Sequence, residues 1–316
     1  MRRTAVALAL TLVTGCGLSE PDRPGSSNPR PVAATTTADP TSTSPQPDPS
    51  PTPEEQTFVP GPNRKIPRAA GRLAKELTLV TRGLAQSIPT WRSSHPQRSA
   101  RPTRRVVLQS LYYQRIYRTL TRKPELARRV LRRLPGGIRL QAHRNIKAGR
   151  NLRSLTRPVK PPVTMKTQQP EPPGALLRYY KKAQRRFNVD WEVLAAVNSI
   201  ETRFGRIRSA SYAGAQGPMQ FIPSTWRAYG MGGDVHDPHD AILGAANYMR
   251  ASGAPRDYRR ALYAYNNANE YVTAVLAYAR EIMRRARNYY VYYSWQVFVR
   301  TTKGDMQLTG PGKDRR

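Results

Sequence analysis

The chain has 316 residues, 38% of them hydrophobic, and carries 53 Lys and Arg against 20 Asp and Glu for a formal net charge of +33. That length admits two modest domains, but so low a hydrophobic content implies that part of the chain stays unpacked. A single cysteine excludes an intramolecular disulfide, and the charge strongly favours anionic surroundings.

In chain order, Met1-Arg2-Arg3 precedes an apolar run from Thr4 to Thr14 that is too short to span a bilayer comfortably. Residues 1–15 therefore read as an export signal. Val13-Thr14-Gly15-Cys16 resembles the lipobox of bacterial lipoproteins. That resemblance implies an acylated Cys16, a lipid anchor in the cytoplasmic membrane and a location on its outer face or in the wall. An ordinary signal peptide with a bystander cysteine is the competing reading. Residues 16–62 are Pro, Ser, Thr and Asp with scarcely a large apolar side chain, so they cannot offset their ordering entropy and form a disordered tether.

Residues 63–157 change character. Leu73, Leu77, Val80, Leu84 and Ile88 make one helical stripe, and Leu108, Tyr112, Ile116 and Leu120 another. A short helix opens at Pro124, runs through Leu134 and is closed by Gly136 and Gly137; a weaker one spans about Arg139 to Leu155. Between residues 61 and 160 there are 26 Lys and Arg against only Glu76 and Glu125. Such a surface is either the solvated face of a helical bundle or an attraction to anionic wall polymers or lipid head groups. Nucleic acid would head the list for this charge, but export argues against it. Residues 158–173 are a proline-rich linker and mark a domain boundary.

Residues 174–287 are helical throughout. Within them Leu194, Val197, Glu201 and Phe204 share one helix face, with Asp190 as N-cap and Gly205 as the stop. A carboxylate interrupting an apolar stripe is costly to bury and has its pKa pushed up. Pro223 opens a helix around Trp226 and Tyr229, and Asp240 caps another through Ile242 and Tyr248. His236, Asp237, His239 and Asp240 invite a metal, but the spacing fits no regular ligand pair and Pro238 breaks the run, so no metal is expected. Residues 288–316, aromatic and β-branched up to Thr302 with a turn at Lys303-Gly304-Asp305, read as a small β-hairpin and tail.

Four blocks, SIETRFG, GAQGPMQFIPSTW, DPHDAILGAANYM and AYNNANEYVTAVLAYA, resemble in order and spacing the bacterial lytic murein transglycosylases. The GPMQF and YNxxxxY forms are most similar to their membrane-bound, B-type subgroup. The resemblance implies a mainly α, lysozyme-like catalytic domain, here preceded by the tether and basic helices and followed by the hairpin. It implies cleavage of the MurNAc-β-1,4-GlcNAc bond of peptidoglycan glycan strands by one carboxylate, Glu201, leaving 1,6-anhydro ends. Gln220, Met219, Tyr265 and Asn266 match the substrate-binding positions, with Tyr265 holding Glu201 in register. No cofactor is called for, and a monomer is expected. Thr202 stands where many relatives carry Ser, and Asn267 and Ala268 depart from the usual pattern. A lysozyme-type hydrolase on the same fold, and a non-catalytic wall-binding lipoprotein, remain as alternatives.

Overall fold

Apolar stripes at spacings of three and four have to be buried against one another, and helix on helix is the result. The computed structural model describes residues 58–97 and 99–313; the signal, Cys16 and nearly all of the tether lie outside them. The described chain is mainly helical. Four helices come first: α1 Ala70–Ser94, α2 Arg104–Arg122, α3 Pro124–Leu131 and α4 Gly136–Ser154. Seven follow: α5 Pro173–Phe187, α6 Trp191–Thr202, α7 Pro223–Tyr229, α8 Pro238–Ala251, α9 Tyr258–Tyr265, α10 Asn269–Arg284 and α11 Arg287–Tyr293. β1 Phe298–Thr301 then pairs antiparallel with β2 Gly304–Gln307, Phe298 opposite Gln307 and Thr301 opposite Gly304. No helix among the described residues is long and apolar enough to cross a membrane.

Both expected stripes are buried, from Leu73 to Ile88 on α1 and from Leu108 to Leu120 on α2. Their surroundings are not those of a separate module. Buried residues of α1–α4 and of α5, α6 and α8–α11 form one continuous core. Polar contacts tie the halves as well. Arg144 pairs with Glu281 at 2.8 Å, Tyr292 Oη donates to Asn145, and Gln114 exchanges hydrogen bonds with the backbone of Gln296.

The proline-rich segment is pinned rather than loose. Val159 bridges Thr301, Thr167 bridges Ile207, and the carbonyls of Glu171 and Pro173 accept from Tyr293 and Tyr289. Residues 58–62, expected in the tether, lie on α2. Gln109 donates to the Phe58 carbonyl, Arg115 donates to that of Pro62, and the Phe58 ring meets Tyr112 edge-on.

Three local expectations are corrected, and a fourth, Asp190 as the N-cap of α6, holds in position but not in its side-chain bond. α3 stops at Leu131, and Gly136 opens α4 instead of closing α3. The N-cap of α8 is Asp237, whose side chain accepts from Asp240 N; Asp240 sits in the first turn. Asp190 occupies the N-cap of α6 without a side-chain bond, and Gln184 Oε1 takes the Trp191 N–H instead. Tyr289–Tyr293 are helical rather than strand, because their rings find a helical core: Tyr289, Tyr292 and Tyr293 are buried against Phe204, Tyr278 and Trp295. Burial outweighs β-propensity there.

Glu76, on the buried face of α1, accepts from Arg64 (2.8 Å) and from the Tyr112 hydroxyl, with Arg72 3.5 Å away. Burial raises its pKa, but the hydrogen bonds from Arg64 and Tyr112 outweigh this and leave the carboxyl below its usual range. Glu76→Ala leaves the buried Tyr112 hydroxyl without its acceptor, while the exposed Arg64 returns to water. It is expected to cost about 2 kcal/mol in a denaturant titration at neutral pH. That deficit should shrink in acid, as the wild-type carboxylate protonates and loses its own contribution.

Candidate active site

α6 delivers Glu201 one residue before its end. The chain then passes through three consecutive positive φ values, Arg203 at 54°, Phe204 at 62° and Gly205 at 84°, which only the last adopts without strain. Local bonds hold this reversal. Phe204 N donates to Asn198 O, Ile207 N to Thr202 O, and Gly205 N to Thr202 Oγ1. Thr202 Oγ1 in turn donates to Pro218 O at 2.6 Å, so the hydroxyl following Glu201 fastens the helix to the GPMQF turn. That turn is closed by paired bonds between Gln216 and Phe221. Gly217 admits no side chain, since a Cβ would lie 1.8 Å from Val235 O.

Leu194 and Val197, two turns and one turn before Glu201 on the same face of α6, are fully buried, as is Phe204 just past the helix end. The Glu201 side chain remains partly open to solvent while protein atoms surround the carboxyl on the other sides. Burial pushes its pKa up to about 7, against a modest downward pull from one hydrogen bond, donated to Oε1 by the Tyr271 hydroxyl at 2.6 Å. Tyr271 is fully buried in the first turn of α10, and burial and the neighbouring carboxylate keep its hydroxyl protonated and donating.

The sequence-predicted residues fall into two groups. Gln220, Tyr265 and Asn266 are partly exposed, and the Tyr265 hydroxyl feels the Glu201 charge. Gln220 has φ 52° and its Nε2 donates back to Gly217 O. Asn266 ends α9 in an extended conformation.

Met219 does not belong with them. Its side chain has no exposed surface, its Sδ accepts from Asn198 Nδ2 at 3.0 Å, and its carbonyl accepts from the Tyr265 hydroxyl at 2.7 Å. It is the hub joining α6, the turn and α9, not a wall open to ligand. Tyr265 accordingly holds the turn, while Tyr271 holds the carboxyl. An aromatic run of Trp226, Phe221, Tyr265 and Tyr248 adjoins the turn, with successive ring centroids 5.1, 5.9 and 5.8 Å apart.

Residues 178–287 match the family described as the transglycosylase SLT domain. This SLT domain runs from within α5 to the start of α11 and contains every residue just described. No curated protein and no solved structure matches the chain. The Asp237, His239 and Asp240 cluster lies inside the SLT domain too, its ligand atoms within 4.8 Å of one another. Its carboxylates are engaged locally. Asp237 caps α8, Asp240 accepts from Asp234 N and from His239 Nδ1, and the other His239 nitrogen lies 2.9 Å from Lys182 Nζ.

Proposed function

We propose that the protein is a lytic transglycosylase of the membrane-bound, B-type kind that cuts the MurNAc-β-1,4-GlcNAc bond of peptidoglycan, lipid-anchored through Cys16. SLT-domain enzymes act on peptidoglycan, which sets the substrate class. The observation that carries the reading is one carboxyl, raised to about 7 by burial and held by a tyrosine hydroxyl rather than by a cation. Most glycosidases use two carboxylates. A single group that first gives and then takes a proton needs a pKa near the working pH.

Protonated Glu201 donates to the glycosidic oxygen as its bond to C1 of the muramic acid breaks. The resulting carboxylate removes the proton of the C6 hydroxyl, whose oxygen bonds to C1 and closes the 1,6-anhydro ring. Glu201 ends protonated, and no water is consumed. The substrate's acetamido group stabilises the developing charge at C1. Gln220 and Asn266 offer amide donors and acceptors for sugar hydroxyls, and Tyr265 keeps the Gln220 turn in place through Met219 O.

Mass spectrometry of fragments released from purified sacculi tests this. Anhydro-muramyl ends are expected. Fragments one water heavier would convert the reading to a hydrolase, and no fragments at all would leave a wall-binding lipoprotein.

Tyr271→Phe removes the bond that favours the charged carboxylate, so the Glu201 pKa rises further. The alkaline limb of the pH–rate profile is expected to move up by about one unit, with kcat reduced roughly tenfold. A limb that stays in place would separate Tyr271 from the acid.

A further inference from the structure

The N-terminal helices, α6 and the hairpin meet around a cavity of about 120 Å³. An apolar cavity of about 150 Å³ takes up one benzene, so the space fits a single small group and not a sugar chain. Its charge is lopsided. Arg118 comes from α2, Arg153 from α4, Arg203 from the C-terminal cap of α6 and Arg300 from β1, against one carboxylate, Asp305 of β2.

One oxygen of that carboxylate is already committed, and the other, Oδ1, is buried without a hydrogen-bond donor. Asp305 Oδ2 accepts from Arg118 Nε at 3.1 Å and from Arg122 Nη1 at 2.7 Å, while Arg153 stands 3.7 Å from Oδ1. Arg203 and Arg300 reach no carboxylate among the described residues. Each donates through Nη1 to neutral oxygens, Arg203 to Ser199 O at 2.7 Å and Arg300 to Thr156 O at 2.7 Å. Burial pushes Arg118, Arg153 and Arg203 downward, and a neighbouring guanidinium adds to the effect at each. Cations gathered in a partly dry cavity are costly unless an anion joins them. The planar fork of arginine matches the oxygens of phosphate and carboxylate in pairs.

We propose that this cavity binds one small oxyanion, a phosphate or carboxylate group, between Arg203 and Arg300 with Arg118 and Arg153 beside it, and that the anion clamps the N-terminal helices to the SLT domain. The site is separate from the face of α6 that carries Glu201. Ile200 and Arg203 line it, and Glu201 does not. Three sources share this chemistry: free phosphate, a terminal phosphate monoester, and a peptide C-terminus.

Thermal unfolding of the full chain at constant ionic strength, with chloride as the reference, tests the site. The probes are inorganic phosphate, glycerol phosphate and N-acetyl-alanyl-alanine. At least one is expected to raise Tm saturably, by about 5 °C at a hundredfold excess over Kd; which one does so names the source. Arg203→Lys keeps the charge and removes the fork, and is expected to weaken the apparent Kd at least tenfold. Arg153→Met, at a partly exposed position, should do the same without lowering Tm in chloride, which guards against a variant that merely misfolds. The exposed control Arg227→Gln should respond as wild type. A rise of equal size in every variant would mean non-specific screening of a chain of net charge +33 and would overturn the proposal, as would the absence of a saturable rise in the wild type.

Discussion

Glu201→Gln is expected to lower fragment release from purified sacculi at least about a thousandfold and, above pH 7, to raise the melting temperature. The first effect follows from the double use of one group. A positioned acid or base contributes roughly 10²–10⁴-fold, and the amide can be neither, although its oxygen still accepts from Tyr271. The second effect follows from the pKa. With the folded carboxyl at about 7 and the ordinary value at 4.5, the native state keeps a proton between those limits that the unfolded chain has lost. Stability therefore falls as pH rises through that window, and above pH 7 the full cost of the buried charge is present. The shift corresponds to up to about 3 kcal/mol. Glutamine does not titrate, so its advantage should be absent near pH 4.5 and approach that size at pH 8, or about 5–10 °C in Tm. Such a trade of stability for a poised group is common at active sites. A variant that melts no higher than wild type at pH 8 would show that the carboxyl is not held in a raised state, and the acid–base cycle would lose its basis.

The placement of Glu201 was legible because a helix has a period. Leu194 and Val197 could be put on one face from spacing alone, and both are buried; Phe204, expected on that face, lies beyond the helix end at positive φ and is buried there instead. The residues around it were less so. Tyr265 and Tyr271 stand six positions apart across the break between α9 and α10, and nothing in the sequence says how the second helix is turned relative to the first. Hence the tyrosine expected to hold the acid holds Met219 O, and its neighbour on α10 takes the carboxyl. Met219 lies in a turn where no period separates inside from outside. The fold class followed from the stripes, but the tail did not, since aromatic residues favour strands only where there is no helical core to receive them. The prolines of residues 158–173 suggested a boundary because composition reports stiffness and not partners. The carbonyls of Glu171 and Pro173, which pin that segment, accept from tyrosines more than a hundred residues away.

Those partners decide what happens when the chain is cut. A fragment of residues 158–316 is expected to lose cooperative folding, rather than to survive as an SLT domain that merely holds the wall less well. In the full chain α4 covers α10, and α1 and α2 cover α11. Trp91 meets Tyr290 edge-on and Tyr113 meets Trp295, at centroid distances of 5.4 and 6.5 Å. Removing the N-terminal helices uncovers these aromatics together with parts of Val275, Tyr278, Ile282 and Tyr292, which are now buried. At about 1.5–3 kcal/mol for each large apolar side chain returned to water, even partial exposure of these six costs roughly 5–10 kcal/mol. A domain of this size has about 5–15 kcal/mol in all. Near-UV circular dichroism and thermal unfolding of the fragment beside the full chain provide the measurement. A shallow transition with weak near-UV signal would make the basic helices part of the catalytic fold, so that their charge is presented to the wall in fixed register with Glu201. A sharp melt with undiminished fragment release would instead make them a detachable module, their shared core dispensable.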